Sequence, residues 1–160
     1  MKVVGIDPGT RQTGFAWRTP SGAWRCGWVR PDSLQTILLE ARRDGCDVAA
    51  VEDSFLGVNP RTYRVLITLQ VRILSMCGDL NLRTVTVPPL TWKSAMLTGA
   101  GYLPAGRDHQ KSTALAVARR LGADPKTFDE GDAVCLAEFV QNAPEQLAFD
   151  LPKPRRRRAR

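Results

Sequence analysis

Histidine is nearly absent from this chain, with His109 its one imidazole among 160 residues. The four cysteines, Cys26, Cys46, Cys77 and Cys135, are widely spaced and form no C-x-x-C pair. These shortages leave no donor set for a zinc site of the Cys/His type. Four free, buried thiols in a reducing compartment are expected instead. Long apolar runs are lacking too, since nothing approaches the roughly 18 consecutive apolar residues of a membrane span. The start, Met1-Lys2-Val3-Val4-Gly5-Ile6-Asp7, turns acidic too soon for a secretory leader, so a cytoplasmic location is expected. No internal repeat occurs.

Acidic residues are missing from one stretch in particular. Residues 151–160 hold Lys153, Arg155, Arg156, Arg157, Arg158 and Arg160 and no acid. Those are six of the 23 basic residues, so residues 1–150 carry 17 against 16 acids, a charge of +1 within a total of +7. The body is nearly neutral, and the excess sits in a proline-flanked arginine tail. Such a tail is expected to lack fixed structure and to bind phosphates without reading sequence. The plainer alternatives are a solubilising segment or an address signal.

What is present reads as one α/β domain, at 43% apolar and 24% charged residues. Residues 2–7 form a buried strand. The aromatic-rich segments 13–18 and 23–29 pair as a hairpin around Pro20-Ser21-Gly22. Pro31-Asp32-Ser33 offers a helix cap, and Leu34, Ile37, Leu38 and Ala41 repeat at helical spacing to about Arg43. A second buried strand spans 48–52. Residues 62–77 carry apolar side chains around a wide arc, so that helix is either central or covered by a partner chain. A strand over 83–87, a short helix from Thr91 to Leu97, a glycine-rich loop from Gly99 to Asp108, and helices over 109–121 and 130–141 follow. Three meandering strands and then alternating helices and strands make a mixed sheet flanked by helices.

Within that order, three sets of acids stand at element ends. Asp7 closes the first strand before Pro8-Gly9, a pair suited to a type II turn. Gly14 allows a backbone or a phosphate to approach the second strand closely. Glu52 closes the strand at 48–52, with Asp53 beside it. Asp129, Glu130 and Asp132 open the last helix. Each has a plain reading alone: a turn residue, a solvated strand end, acids at a helix dipole's positive end. Parallel strands at 2–7 and 48–52 bring Asp7 and Glu52 to one sheet edge, where sites of open α/β sheets gather. Carboxylates collected there repel one another unless a hard cation such as Mg²⁺ or Mn²⁺ lies between them.

Several ordered segments carry a resemblance. Gly5-Ile6-Asp7-Pro8-Gly9-Thr10 with Thr13-Gly14-Phe15-Ala16, then Val51-Glu52 with Phe55 and Asn59, is similar to the RuvC family of Holliday-junction resolvases. Pro89-Leu90-Thr91-Trp92-Lys93 with Gly99-Ala100-Gly101, and Asp129-Glu130-Gly131-Asp132-Ala133, extend the similarity over about residues 1–141. It implies an RNase H-like domain over residues 1–143, a mixed five-stranded sheet with an antiparallel hairpin start and then parallel strands, followed by a basic tail over 144–160.

It further implies a homodimer, formed through helix 62–77, that nicks branched DNA, above all four-way junctions, in symmetric pairs. Two Mg²⁺ or Mn²⁺ ions would be held by Asp7, Glu52, Asp129 and Asp132. The resemblance puts Lys93 near the scissile phosphate and Lys111 as a second basic residue. Phe55 would be a stacking group, and Asn59 and Arg61 would contact DNA; the tail arginines Arg155, Arg156, Arg157 and Arg158 are expected to do so from their charge.

Three features depart from the family pattern. Asp129 stands where many bacterial members carry His, resembling phage, poxviral and mitochondrial relatives. The segment Gly101–Lys111 is longer than in typical bacterial members, and the arginine tail is additional. Three alternatives remain: a nuclease of the same fold acting on flaps or RNA, a non-catalytic junction-binding protein, and an actin-like nucleotide-binding protein. The last needs a second lobe and further phosphate loops that the chain does not supply.

Overall fold

The computed structural model describes residues 1–54, 59–98 and 107–143. Phe55, the Gly99–Gly101 motif and the arginine tail lie outside the described residues. Strands β1 (Val3–Asp7), β2 (Thr13–Arg18) and β3 (Trp24–Val29) are followed by helix α1 (Leu34–Arg43) and strand β4 (Val48–Glu52). Helix α2 (Pro60–Asp79), strand β5 (Arg83–Val87) and helices α3 (Pro89–Leu97), α4 (Arg107–Arg120) and α5 (Phe128–Asn142) complete the order.

The strands form one sheet in the order β3-β2-β1-β4-β5. β1 pairs antiparallel with β2 and parallel with β4, and β4 pairs parallel with β5. The expected mixed five-stranded sheet, hairpin first and parallel strands after, is therefore the one observed. Side chains alternate between its faces. Val4, Ile6, Phe15, Trp17, Ala49 and Val51 pack with α1 and α2 through Leu34, Leu38, Leu69 and Ile73. Val3, Ala16, Val48 and Ala50 pack with α3, α4 and α5 through Trp92, Ala114 and Val134. Burial on both faces explains why β1 and β4 read as unbroken apolar runs rather than alternating ones.

Local differences from the sequence reading have identifiable causes. Ser33 caps nothing with its side chain; Pro31–Ser33 is a 3₁₀ turn, and Asp32 instead accepts from Arg72 at 3.3 Å. Gly9 does not have the positive φ that a type II turn requires at that position. A glycine is needed there because a Cβ would lie 2.3 Å from the Gln12 carbonyl oxygen. Three cysteines are buried as expected, but Cys26 is only half-buried. The α5 helix starts at Phe128 because Thr127 caps it by accepting from the Glu130 N–H while Glu130 accepts from the Lys126 N–H, a widened capping box on a T-x-x-E signature that sequence reading passed over. No helix among the described residues is long and apolar enough to cross a membrane.

Candidate active site

The parallel register places Ile6 beside Val51, so the next residues, Asp7 and Glu52, end adjacent strands at the same edge of the sheet. Gly14 is the reason α5 reaches that edge. A Cβ at Gly14 would stand 2.2 Å from the Asp129 carbonyl oxygen, so only a bare backbone lets the start of α5 sit on β2. The close approach expected at Gly14 is thus made by the helix backbone. The capping box then separates the three acids of α5. Glu130 turns back to accept from the Lys126 backbone N–H at 2.7 Å, while Asp129 and Asp132 face the sheet edge.

These elements enclose a cavity of about 470 Å³ lined by Asp7, Glu52, Asp129 and Asp132 with Lys93, Lys111 and the segment Pro8–Gln12. All four acids predicted as ligands, and both predicted lysines, therefore share one cavity. Asn59 and Arg61 lie at the start of α2, outside its lining. The Asn59 side chain caps that helix by accepting from the Thr62 N–H at 2.9 Å. Asp53, beside Glu52, is turned away and accepts from Gln70 at 3.0 Å.

Four carboxylates face two lysines, and the imbalance shows in their acidity. Burial, reinforced by repulsion from Glu52, Asp132 and Asp129, holds the Asp7 carboxyl well above the usual range, against a smaller opposing pull from Lys93. Burial raises Glu52 as well, partly offset by Lys93 and by the Trp92 indole. Asp132 is pushed up from 3.8 to about 7, again chiefly by burial, with Lys93 as the main opposing influence. Lys93 Nζ lies 4.0 Å from Asp132 Oδ2 and 5.1 Å from the Trp92 ring centre.

Two residues that sequence reading missed hold this geometry. Trp92 is fully buried and donates its indole N–H to Glu52 Oε2 at 2.9 Å. Gln12 donates to Asp129 Oδ2 at 2.7 Å, opposite Lys111, which donates to Oδ1 at 3.4 Å. Trp92 carried a signal, being next to Lys93 in an element that follows a buried strand. Gln12 carried none, because only the folded turn brings it to Asp129.

The donor set suits a hard divalent cation, being all oxygen and crowded with like charge. The sharpest sign is Asp132 Oδ1, which is buried with no hydrogen-bond donor among the described residues. A buried, unpaired carboxylate oxygen is costly unless something positive meets it. As the side chains stand, no three His, Cys, Asp or Glu among the described residues close around a common point. Lys93, Lys111, Gln12 and Trp92 each engage a carboxylate, so a cation must compete with those partners for its oxygens.

No family model matches the chain. It is 32% identical over 151 residues to the crossover junction endodeoxyribonuclease RuvC of Anaeromyxobacter dehalogenans, covering 86% of this chain and 78% of that relative. It is 30% identical over 157 residues to the RuvC of Campylobacter jejuni, covering 86% of this chain and 93% of that one. Among solved structures it resembles Thermus thermophilus RuvC in complex with a Holliday junction substrate, with a TM-score of 0.64 at 19% identity over 86% of this chain and 90% of that one. Fowlpox virus resolvase bound to Holliday junction DNA gives a TM-score of 0.55 at 9% identity, covering 89% and 98% of the two chains.

Proposed function

The chain belongs to the RuvC family of crossover junction endodeoxyribonucleases, and from that premise we propose that its acidic cavity hydrolyses the backbone of four-way DNA junctions. The observation that carries the reading is the convergence of Asp7, Glu52, Asp129 and Asp132 with Lys93 and Lys111 in one cavity at the sheet edge. Those four carboxylates would hold the divalent cations, Mg²⁺ or Mn²⁺, two per site. Bound there, the cations supply Lewis-acid activation of the attacking water and stabilisation of the leaving 3′-oxygen.

The chain's own groups do the rest. Asp7, fixed at the end of the central strand and pressed by three other acids, is the ligand with most to gain from a cation. Trp92 fixes the direction of Glu52, and Gln12 fixes that of Asp129, the ordering of ligands by outer partners that metal sites rely on. Lys93 and Lys111, which lie beside Asp132 and Asp129, would offset the charge of the scissile phosphate in the same cavity.

Paired cuts need two such cavities. Helix α2 supports a homodimer, because Leu69, Ile73 and Cys77 face the core while Val71 is 61% exposed and Val65 48%. The apolar arc read from sequence is thus only partly used within one chain. The test is to incubate the protein with a mobile synthetic junction, a flap and an RNA–DNA duplex in Mg²⁺ or Mn²⁺ and map the cuts. Symmetric, metal-dependent nick pairs in opposed strands of the junction are expected. Preferred cutting of the flap or of the RNA would overturn the reading.

A further inference from the structure

We propose that Phe128 is the platform on which the base next to the scissile phosphate stacks, making it a specificity-determining residue of this nuclease; the inference rests on the function proposed above. Phe128 opens α5 immediately before Asp129, yet its ring does not belong to either core cluster and is 42% exposed. The cap of α5 is made by Thr127 and Glu130, and the first helical position places no demand for an aromatic group.

The ring's surroundings suit a nucleotide. A second cavity, of about 380 Å³, is lined by Phe128, Leu115, Lys126 and Thr127. It shares Gln12, Lys111 and Asp129 with the acidic cavity, so the two are adjacent. Lys111 Nζ lies 5.7 Å from the centre of the Phe128 ring, and Lys126 stands on the same rim. A half-exposed aromatic ring beside the Lys111 ammonium, one residue from a carboxylate of the reacting site, matches the means by which proteins hold unpaired bases, while Lys126 on the rim is paired with Asp124. Phosphate charge meets Lys111 while the base covers the ring. Single exposed apolar residues are common and need no explanation; this one lines a cavity that shares three residues with the acidic one.

The experiment compares the wild type with Phe128→Leu, which keeps an apolar side chain without a π face, and Phe128→Trp, which keeps one. Each is given junctions carrying either a normal nucleotide or an abasic site beside the nick. The wild type should lose about 10-fold in kcat/KM on the abasic junction, Phe128→Leu should lose as much on the normal one, and the abasic site should then cost that variant nothing further. Phe128→Trp should behave as wild type. An abasic penalty that is equally large in Phe128→Leu overturns the proposal.

A second readout uses 2-aminopurine at the same position, bound in EDTA. Its fluorescence should be quenched by the wild type and by Phe128→Trp but not by Phe128→Leu, and quenching by all three overturns the proposal. Because this arm needs no cutting, a protein that cleaves no junction but quenches in this pattern would sink the proposed function and leave the stacking site standing.

Discussion

At the scale of single residues, Asp132 concentrates the cost of the site. Its Oδ1 has no donor among the described residues, and its acidity is shifted from 3.8 to about 7, chiefly by burial. A raised folded-state value means that the neutral form is the one folding favours. The stabilising contribution of Asp132 is therefore complete below about pH 4 and is lost as pH rises through 7. Asp132→Asn imitates the neutral form permanently. In metal-free protein it should raise the melting temperature slightly at pH 5, where the loss has begun, and more at pH 8, where it is complete, as read by thermal melts of both proteins. Mg²⁺ should raise the melting temperature of the wild type at pH 8 far more than at pH 5, because cation and proton compete for the same carboxylates. The same variant should lose about 100-fold or more in junction cutting while still binding junctions. Undiminished cutting would remove Asp132 from the site. The acids themselves were legible in sequence as element ends; the unpaired oxygen and the roles of Trp92 and Gln12 were not, since each depends on contacts across the fold.

At the scale of elements, the strands were legible because their signal is short and local. The segments 13–18, 48–52 and 83–87 coincide with β2, β4 and β5; β4, buried on both faces, is an unbroken apolar run, while the edge strand β5 alternates Val with Thr. Helix starts were less legible. α2 and α3 each begin two residues earlier than read, at Pro60 and Pro89, since the first helical turn accepts proline. α5 also begins two residues early, fixed by a capping box that sets Glu130 aside from Asp129 and Asp132. The seating of that helix is the element-level determinant of the site. Gly14→Ala puts a Cβ 2.2 Å from the Asp129 carbonyl oxygen, so α5 must move off β2 or the strand must bend. The expected cost is about 1–3 kcal/mol in urea unfolding, the range of an overpacked core. Cutting should fall further than that loss of folded protein explains, because the shift moves Asp129 and Asp132 together away from Asp7 and Glu52. Full activity in a destabilised Gly14→Ala protein would mean that the position of α5 is not what assembles the site.

At the scale of the whole molecule, charge is divided between two places. Residues 1–150 carry only +1, yet Arg11, Arg30, Arg64 and Arg72 line one cleft of about 490 Å³ that shares Thr10 and Arg11 with the acidic cavity. The only acid in that lining is Asp32, which is paired with Arg72. The sequence showed the tail as an arginine cluster because those residues are consecutive. It hid the second cluster, whose members come from the β1–β2 turn, the end of β3 and α2. Phosphate contacts by either cluster release counterions, each lowering the slope of log affinity against log salt by about 0.9 on duplex DNA. Deleting residues 153–160 removes six basic residues from the chain. Junction binding by the truncated protein in EDTA should weaken and its salt slope should flatten, while a reduced slope persists from the arginines of the body. Nick positions should not change, because the tail adds attraction without reading the junction and the cavity alone selects the phosphate. A salt slope identical to that of the full chain would show that the tail does not touch DNA. A slope falling to nothing would show that the arginine cleft of the body does not.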